Sequence, residues 1–154
     1  MPVIQYGAMQ PRLRELYAFW EDRKRAAGGL PSIMKLHADR LTPWLDNLII
    51  ITIKREGEFV YRYYPKSFVE QFGVDMSGKA TTSLPEAQRT LLETEYDYVR
   101  QRKRPTWRIY SGDFDGEIVT WERLLLPFAA DGETVDTLMV GVYEAKHAGM
   151  FEIA

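Results

Sequence analysis

At 154 residues, 45% hydrophobic and 13% aromatic, with charges scattered rather than blocked, the chain has the length of about one domain and the composition of an ordered globular protein, which excludes a disordered tail. A formal charge of −2 supplies no excess positive field to hold phosphates, so nucleic acid is not the expected partner. The absence of cysteine excludes disulfides, thiolate metal sites and cysteine nucleophiles.

The chain starts without a basic segment leading into an apolar run, and its longest uninterrupted apolar stretch, LIII at 48–51, is too short to span a bilayer. A cytoplasmic protein with no membrane contact is the simplest expectation. PRLRELYAFWEDRKRAAGG (11–29) opens on a proline suited to a first helical turn and repeats Leu13, Leu16, Tyr17 and Trp20 at helical spacing, so an amphipathic helix stopped at Gly28 and Gly29 is predicted. LPSIMKLHADRLTPWLDN (30–47) mixes apolar anchors with turn residues, and Asp39 is a candidate cap for a short helix. NLIIITIK (47–54) reads as a buried strand, Arg55–Glu58 as a turn, and FVYRYY (59–64) as the hairpin partner.

PKSFVEQFG (65–73) reads as a short helix opened by Pro65 and closed by Gly73, because proline has the backbone angle and the missing donor of a first helical turn. VDMSGKATTS (74–83) is a loop, and LPEAQRTLLETEYDYVRQRKR (84–104) a long helix with Leu92, Tyr96 and Val99 along one face. TWRIYSGDF (106–114), EIVTWERLLLPF (117–128) and TVDTLMVGVYEA (134–145) are strand candidates, separated by the hairpin signals Asp115-Gly116 and Asp131-Gly132.

Two groups of hairpin-linked strands interrupted by helices do not suit a doubly wound parallel sheet, which alternates strand and helix throughout. The expected class is α+β, with an antiparallel five-stranded sheet, helices on one face and an added N-terminal helix. In its order of elements, and in the stretches FWEDRKRAAGGLPS, YRYYPKSFVEQFG, VDMSGK and ERLLLPFAADGETVDTLMVG, the chain resembles a family of single-domain PAS proteins common in alphaproteobacteria. The resemblance covers nearly the whole chain. It implies a regulatory module that senses a small molecule, or mediates protein–protein contacts in signalling, with no inherited catalytic residue; the alternative is a ligand-free dimerisation or scaffold domain with a filled core. Residues 1–47 would be an N-terminal helical extension and 48–154 the PAS-like domain, one structural unit overall. Where the family carries a small residue, glycine and threonine after its tyrosine-arginine strand, this chain has Tyr64, Pro65 and Lys66.

In such a fold the helices after the aromatic strand wall a space against the sheet. Strict alternation puts Phe59, Tyr61 and Tyr63 on one side of their strand and Val60, Arg62 and Tyr64 on the other. Candidate lining residues are Tyr61, Tyr63, Phe72, Trp107, Trp121 and Arg123, with Arg123 the natural partner of a carboxylate or other acidic group on a small apolar or acidic ligand. A salt bridge from Arg123 to a nearby carboxylate is the competing reading. Leu13, Leu16, Tyr17 and Trp20 are candidates for a homodimer interface, with docking onto the same chain's sheet as the alternative. Either functional version needs a signalling partner, which the residues do not identify, and no cofactor is indicated.

Other constellations point to structure. Asp113 in DFDGE has Leu124 where a calcium loop places its last ligand, so a hairpin turn is expected. Arg100, Arg102, Lys103 and Arg104 suit a solvated helix end better than a phosphate grip. His37 and His147 are far apart in sequence, and Ser67, Ser77, Ser83 and Ser111 lack a nucleophile-elbow context. No metal site and no catalytic residue is assigned.

Overall fold

The computed structural model describes residues 4–114 and 116–145; Asp115 of the first hairpin signal and His147 lie outside them. Helix α1 (Pro11–Ala27) starts on its proline and stops at Gly28, which takes the left-handed φ of +71° and donates its N–H to the Lys24 carbonyl. Residues 30–47 form no α-helix. They make a short 3-10 turn at Ile33–Lys35 and a 3-10 run over Ala38–Asn47, where Pro43 removes a donor that an α ladder requires. Asp39 lies within the first turn of that run, and the position before it belongs to the exposed His37.

The strands are β1 (Leu48–Ile53), β2 (Phe59–Tyr63), β3 (Thr106–Phe114), β4 (Glu117–Phe128) and β5 (Thr137–Glu144). They form one sheet in the order β2-β1-β5-β4-β3, every neighbouring pair antiparallel. Between β2 and β3 lie α2 (Lys66–Phe72) and α3 (Glu86–Arg102). Pro65 precedes α2 as its extended N-cap rather than forming its first turn, and its carbonyl accepts from the N–H groups of Phe68 and Val69. The loop after α2 folds back on the edge strand: Gly78 N–H donates to the Tyr61 carbonyl, and Tyr61 N–H to that of Lys79. That covers part of a sheet edge that would otherwise offer unpaired groups to another chain.

The register decides what each face carries. Leu48, Gly141, Leu124 and Trp107 stand side by side across β1, β5, β4 and β3 on one face; Val142, Arg123 and Arg108 stand side by side on the other. Helix α1 lies on the first face. It approaches so closely that a Cβ on Gly141 would sit 2.7 Å from Leu13 Cδ2 and 2.9 Å from Leu16 Cδ2. Trp20 Nε1 donates to the Pro127 carbonyl at 2.9 Å, tying α1 to β4, and Trp44 Nε1 donates to the Arg12 carbonyl at 2.9 Å, tying the 3-10 run to the first turn of α1. Helices α2 and α3 lie over the opposite face.

The stripe expected at a dimer interface is therefore largely covered by the chain's own sheet. Leu13, Leu16 and Trp20 are buried, and Tyr17 alone of the four keeps partial exposure, packed edge-on against the exposed Tyr6.

Candidate functional site

Between the sheet and the α2–α3 layer lies a cavity of about 620 Å³, within the range of small-molecule sites. Ile49, Val142, Trp121 and Arg123 come from the sheet; Tyr61 and Tyr64 from the β2 end; Phe68 and Phe72 from α2; Leu92 and Tyr96 from α3. Exposed apolar residues, Phe72, Val74 and Leu91, lie at its margin.

The aromatic strand and the helix after it build one wall together. Ring contacts run from Tyr61 to Tyr64 (6.0 Å between centroids), Tyr64 to Phe68 (5.9 Å), Phe68 to Phe72 (5.8 Å) and Phe72 to Trp121 (5.5 Å). Tilted and edge-on pairs at such spacings are the favoured arrangements of aromatic quadrupoles. Phe68 and Phe72, four apart on α2, project from the same side of the helix.

Four of the six residues expected from sequence, Tyr61, Phe72, Trp121 and Arg123, line this cavity. The other two do not, for separate reasons. Tyr63 leaves because the β1–β2 ladder shifts register: Ile51 pairs with Tyr61, but Ile50 pairs with Tyr63. The extra residue on β2, Arg62, interrupts the alternation on which the expectation rested, and Tyr63 turns to the α1 face, where its hydroxyl donates to the Leu45 carbonyl at 3.1 Å. Tyr64 takes its place at the cavity. Trp107 lies one residue out of phase with Arg108 and Tyr110, which face the cavity; its Nε1 donates to Glu122 Oε1 at 3.2 Å on the α1 face. The same oxygen accepts the Gln10 backbone N–H at 3.1 Å, so Trp107 and Glu122 help to anchor the start of α1.

The polar chemistry of the cavity centres on a glutamate that sequence reasoning missed. Arg123, buried on β4, donates through Nε (3.1 Å) and Nη2 (2.7 Å) to Glu95 Oε1 on α3. The other oxygen of Glu95 pairs with Arg108 of β3. The salt-bridge alternative for Arg123 is thus the one observed. Burial by itself works against the charge on Arg123, but Glu95 more than offsets that and holds the guanidinium pKa well above its ordinary value. Helical spacing in 84–104 offered a signal for Glu95: it occupies the position next to Tyr96 and four before Val99, on the inward side of α3.

Two phenols, those of Tyr61 and Tyr64, are also perturbed. The hydroxyls of Tyr61 and Tyr96 lie 3.1 Å apart. Burial, reinforced by Tyr96, pushes the Tyr61 phenol far above its usual pKa; burial also pushes Tyr64 up to about 12. Tyr61 and Tyr64 therefore stay neutral across the physiological range and act as hydrogen-bonding surface. The indole N–H of Trp121, a residue only 2% exposed, has no acceptor among the described residues. Leaving such a donor unpaired in the interior carries a desolvation penalty of about 1 to 3 kcal/mol.

The remaining candidates behave as structure. Asp113 Oδ1 accepts the Gly116 N–H at 2.8 Å, forming the expected turn. Arg100 pairs with Asp97 at 3.0 Å, and Arg100 and Arg102 occupy the last turn of α3. Ser67 and Ser83 donate to the carbonyls of Asp46 and Ala80, and Ser111 shares a hydrogen bond with Thr120. Among the described residues no group of His, Cys, Asp and Glu could hold a metal ion, and no helix is long and apolar enough to cross a membrane.

No curated protein matches the chain. Among solved structures, the PAS domain of BvgS from Bordetella pertussis is similar in fold, at 11% identity and a TM-score of 0.56, with 71% of this chain and 83% of that one covered. A light-oxygen-voltage domain studied with a flavin analogue is similar at 13% identity and a TM-score of 0.51, with 75% of this chain and 90% of that one covered. At these identities the likeness is one of fold. The family model for the PAS domain, however, matches residues 8–144, which takes in α1, both helices over the cavity and the whole sheet. The five-stranded antiparallel sheet, the helical layer and this match lead to one assignment: the chain belongs to the PAS domain family, whose members are typically sensory and regulatory modules.

Proposed function

We propose that this chain is a sensory PAS module that binds a small amphipathic molecule in the cavity between the sheet and α2–α3. The observation that carries this reading is the cavity itself: about 620 Å³, walled by a continuous chain of aromatic contacts, with the buried and unpartnered Trp121 N–H among its lining groups. The space and the unpartnered donor in its lining both favour a ligand chamber over a core packed only for stability. Since α2 and α3 form one wall and the sheet the other, a ligand that touches both favours the conformation that closes them together, which is the differential affinity that regulation requires.

Transmission to a signalling partner, and a homodimer through the α1 side, belong to the same proposal. With Leu13, Leu16 and Trp20 buried, the candidates on that side are the half-buried Tyr17 and the exposed Tyr6. Native mass spectrometry of freshly purified protein tests both parts together. A retained small molecule and a dimer are expected, with Tyr17→Glu shifting the dimer to monomer. A preparation with no adduct, no thermal stabilisation across an amphiphile screen and no dimer contradicts the reading.

A further inference from the structure

The cavity is charged in a way that a purely apolar ligand would not use. Arg108 and Arg123 are direct cross-strand partners on one face of β3 and β4. Like charges directly opposite destabilise a sheet, so this placement needs compensation. Glu95 supplies only one negative charge for the two guanidinium groups. A third cation, Lys79, also lines the cavity, where no carboxylate is among the lining residues; Asp75 lies near enough to Lys79 to feel its charge. Counting both carboxylates, the cavity region keeps one positive charge in excess.

The excess is best placed at Arg108. Arg123 is 6% exposed and makes two hydrogen bonds to Glu95, whereas the Arg108 side chain is 25% exposed and forms an ion pair with Glu95 without a hydrogen bond. Its guanidinium stands over the Tyr110 ring at 5.3 Å, and its terminal nitrogens make no hydrogen bond among the described residues. A partly exposed guanidinium whose terminal nitrogens make no hydrogen bond presents the fork that a carboxylate accepts. On the facing strand, the residue directly opposite Tyr110 is Trp121, the owner of the unpartnered indole N–H.

We infer that the ligand of this cavity is a monoanionic amphiphile, a carboxylate on an apolar body, with the carboxylate on the terminal nitrogens of Arg108, the indole N–H of Trp121 serving a second acceptor, and the apolar body against the Tyr64–Phe68–Phe72 wall. This rests on the cavity being a ligand site, and it adds the chemical class. It also gives Glu95 a second role. Its carboxylate already occupies one side of Arg108, so an incoming anion shares or displaces it, and Glu95 belongs to α3. Anion binding is thereby coupled to the position of that helix.

Isothermal titration of the full chain with octanoate and with 1-octanol separates the two levels. Octanoate is expected to bind about tenfold or more tightly than 1-octanol, the scale of one charge-assisted pair. Arg108→Gln, whose side chain is exposed enough to be replaced without unfolding, is expected to remove that preference while 1-octanol binding persists. Trp121→Phe, which keeps a ring but loses the donor, is expected to weaken octanoate severalfold. Equal affinity for the two probes, or a preference that survives Arg108→Gln, overturns the anion class and leaves the cavity reading standing. Heat from neither probe overturns both.

Discussion

Arg108 and Arg123 face each other across the β3–β4 ladder and share the carboxylate of Glu95. The glutamate therefore holds α3 to two strands at once, and it is 2% exposed. Removing one member of a buried pair leaves an uncompensated charge, at about 3 to 5 kcal/mol. Glu95→Gln is expected to lower the unfolding free energy by an amount in that range, measured by urea denaturation. Glu95→Leu combined with Arg123→Met is expected to lose less than the sum of the two single changes, because each removes the charge that the other would strand. Additive losses would show that the pair does not interact in this way.

Gly141 tests the seat of α1. A methyl group there meets Leu13 and Leu16 within 3 Å, a clash with two buried side chains that lie against the sheet. Gly141→Ala is expected to cost about 1 to 3 kcal/mol, the usual range for overpacking. Adding Leu13→Ala is expected to recover part of it, so the double variant is more stable than the summed singles predict. Hydrogen exchange that leaves α1 amides as protected as before would contradict the contact.

The phenol of Tyr64 sets an alkaline limit. Its folded-state pKa is raised, to about 12, by burial first and by Tyr96 next, against about 10 in the unfolded chain. The neutral phenol is thus favoured in the folded state. Its contribution to stability is complete below about pH 10 and is lost as the pH rises from there through about 12, while the unfolded chain ionises and the folded one does not. Ultraviolet titration at the phenolate band should show a late-titrating tyrosine that Tyr64→Phe removes. The fall in stability above pH 10 should be shallower in that variant.

The two faces of β3 should separate in function. Trp107→Phe takes a donor from the buried Glu122 and loosens the start of α1, with an expected loss of about 1 to 3 kcal/mol. Its octanoate affinity should stay within about twofold of the wild type, because Trp107 points away from the cavity. Tyr64→Ala should do the reverse, removing a wall ring and weakening binding severalfold. If Trp107→Phe abolishes binding while the protein stays folded, the face assignment is wrong.

The parts governed by near neighbours were legible in the order of residues. The glycine after α1, the two strand groups, the short helix ending at Gly73 and the long α3 follow from local periodicity and backbone chemistry, and the order of elements was enough to indicate the antiparallel sheet. Alternation also placed Trp121 and Arg123 on one face, since β4 pairs without interruption on both sides. What depends on register and on partners distant in sequence was settled by folding. Tyr63 was lost to the bulge at Arg62, and Trp107 to the phase of β3 against β4, which no local pattern in TWRIYSGDF encodes. Leu13, Leu16 and Trp20 formed an apolar stripe whatever covered it; the closeness of Gly141 made that cover the chain's own sheet. Glu95 looked like one more charge on an amphipathic helix, and acquired its role only when folding brought α3 over two arginines whose strands begin beyond it in the chain. A helix's period says which side chains share a face, but the identity of the opposing surface is set by long-range packing.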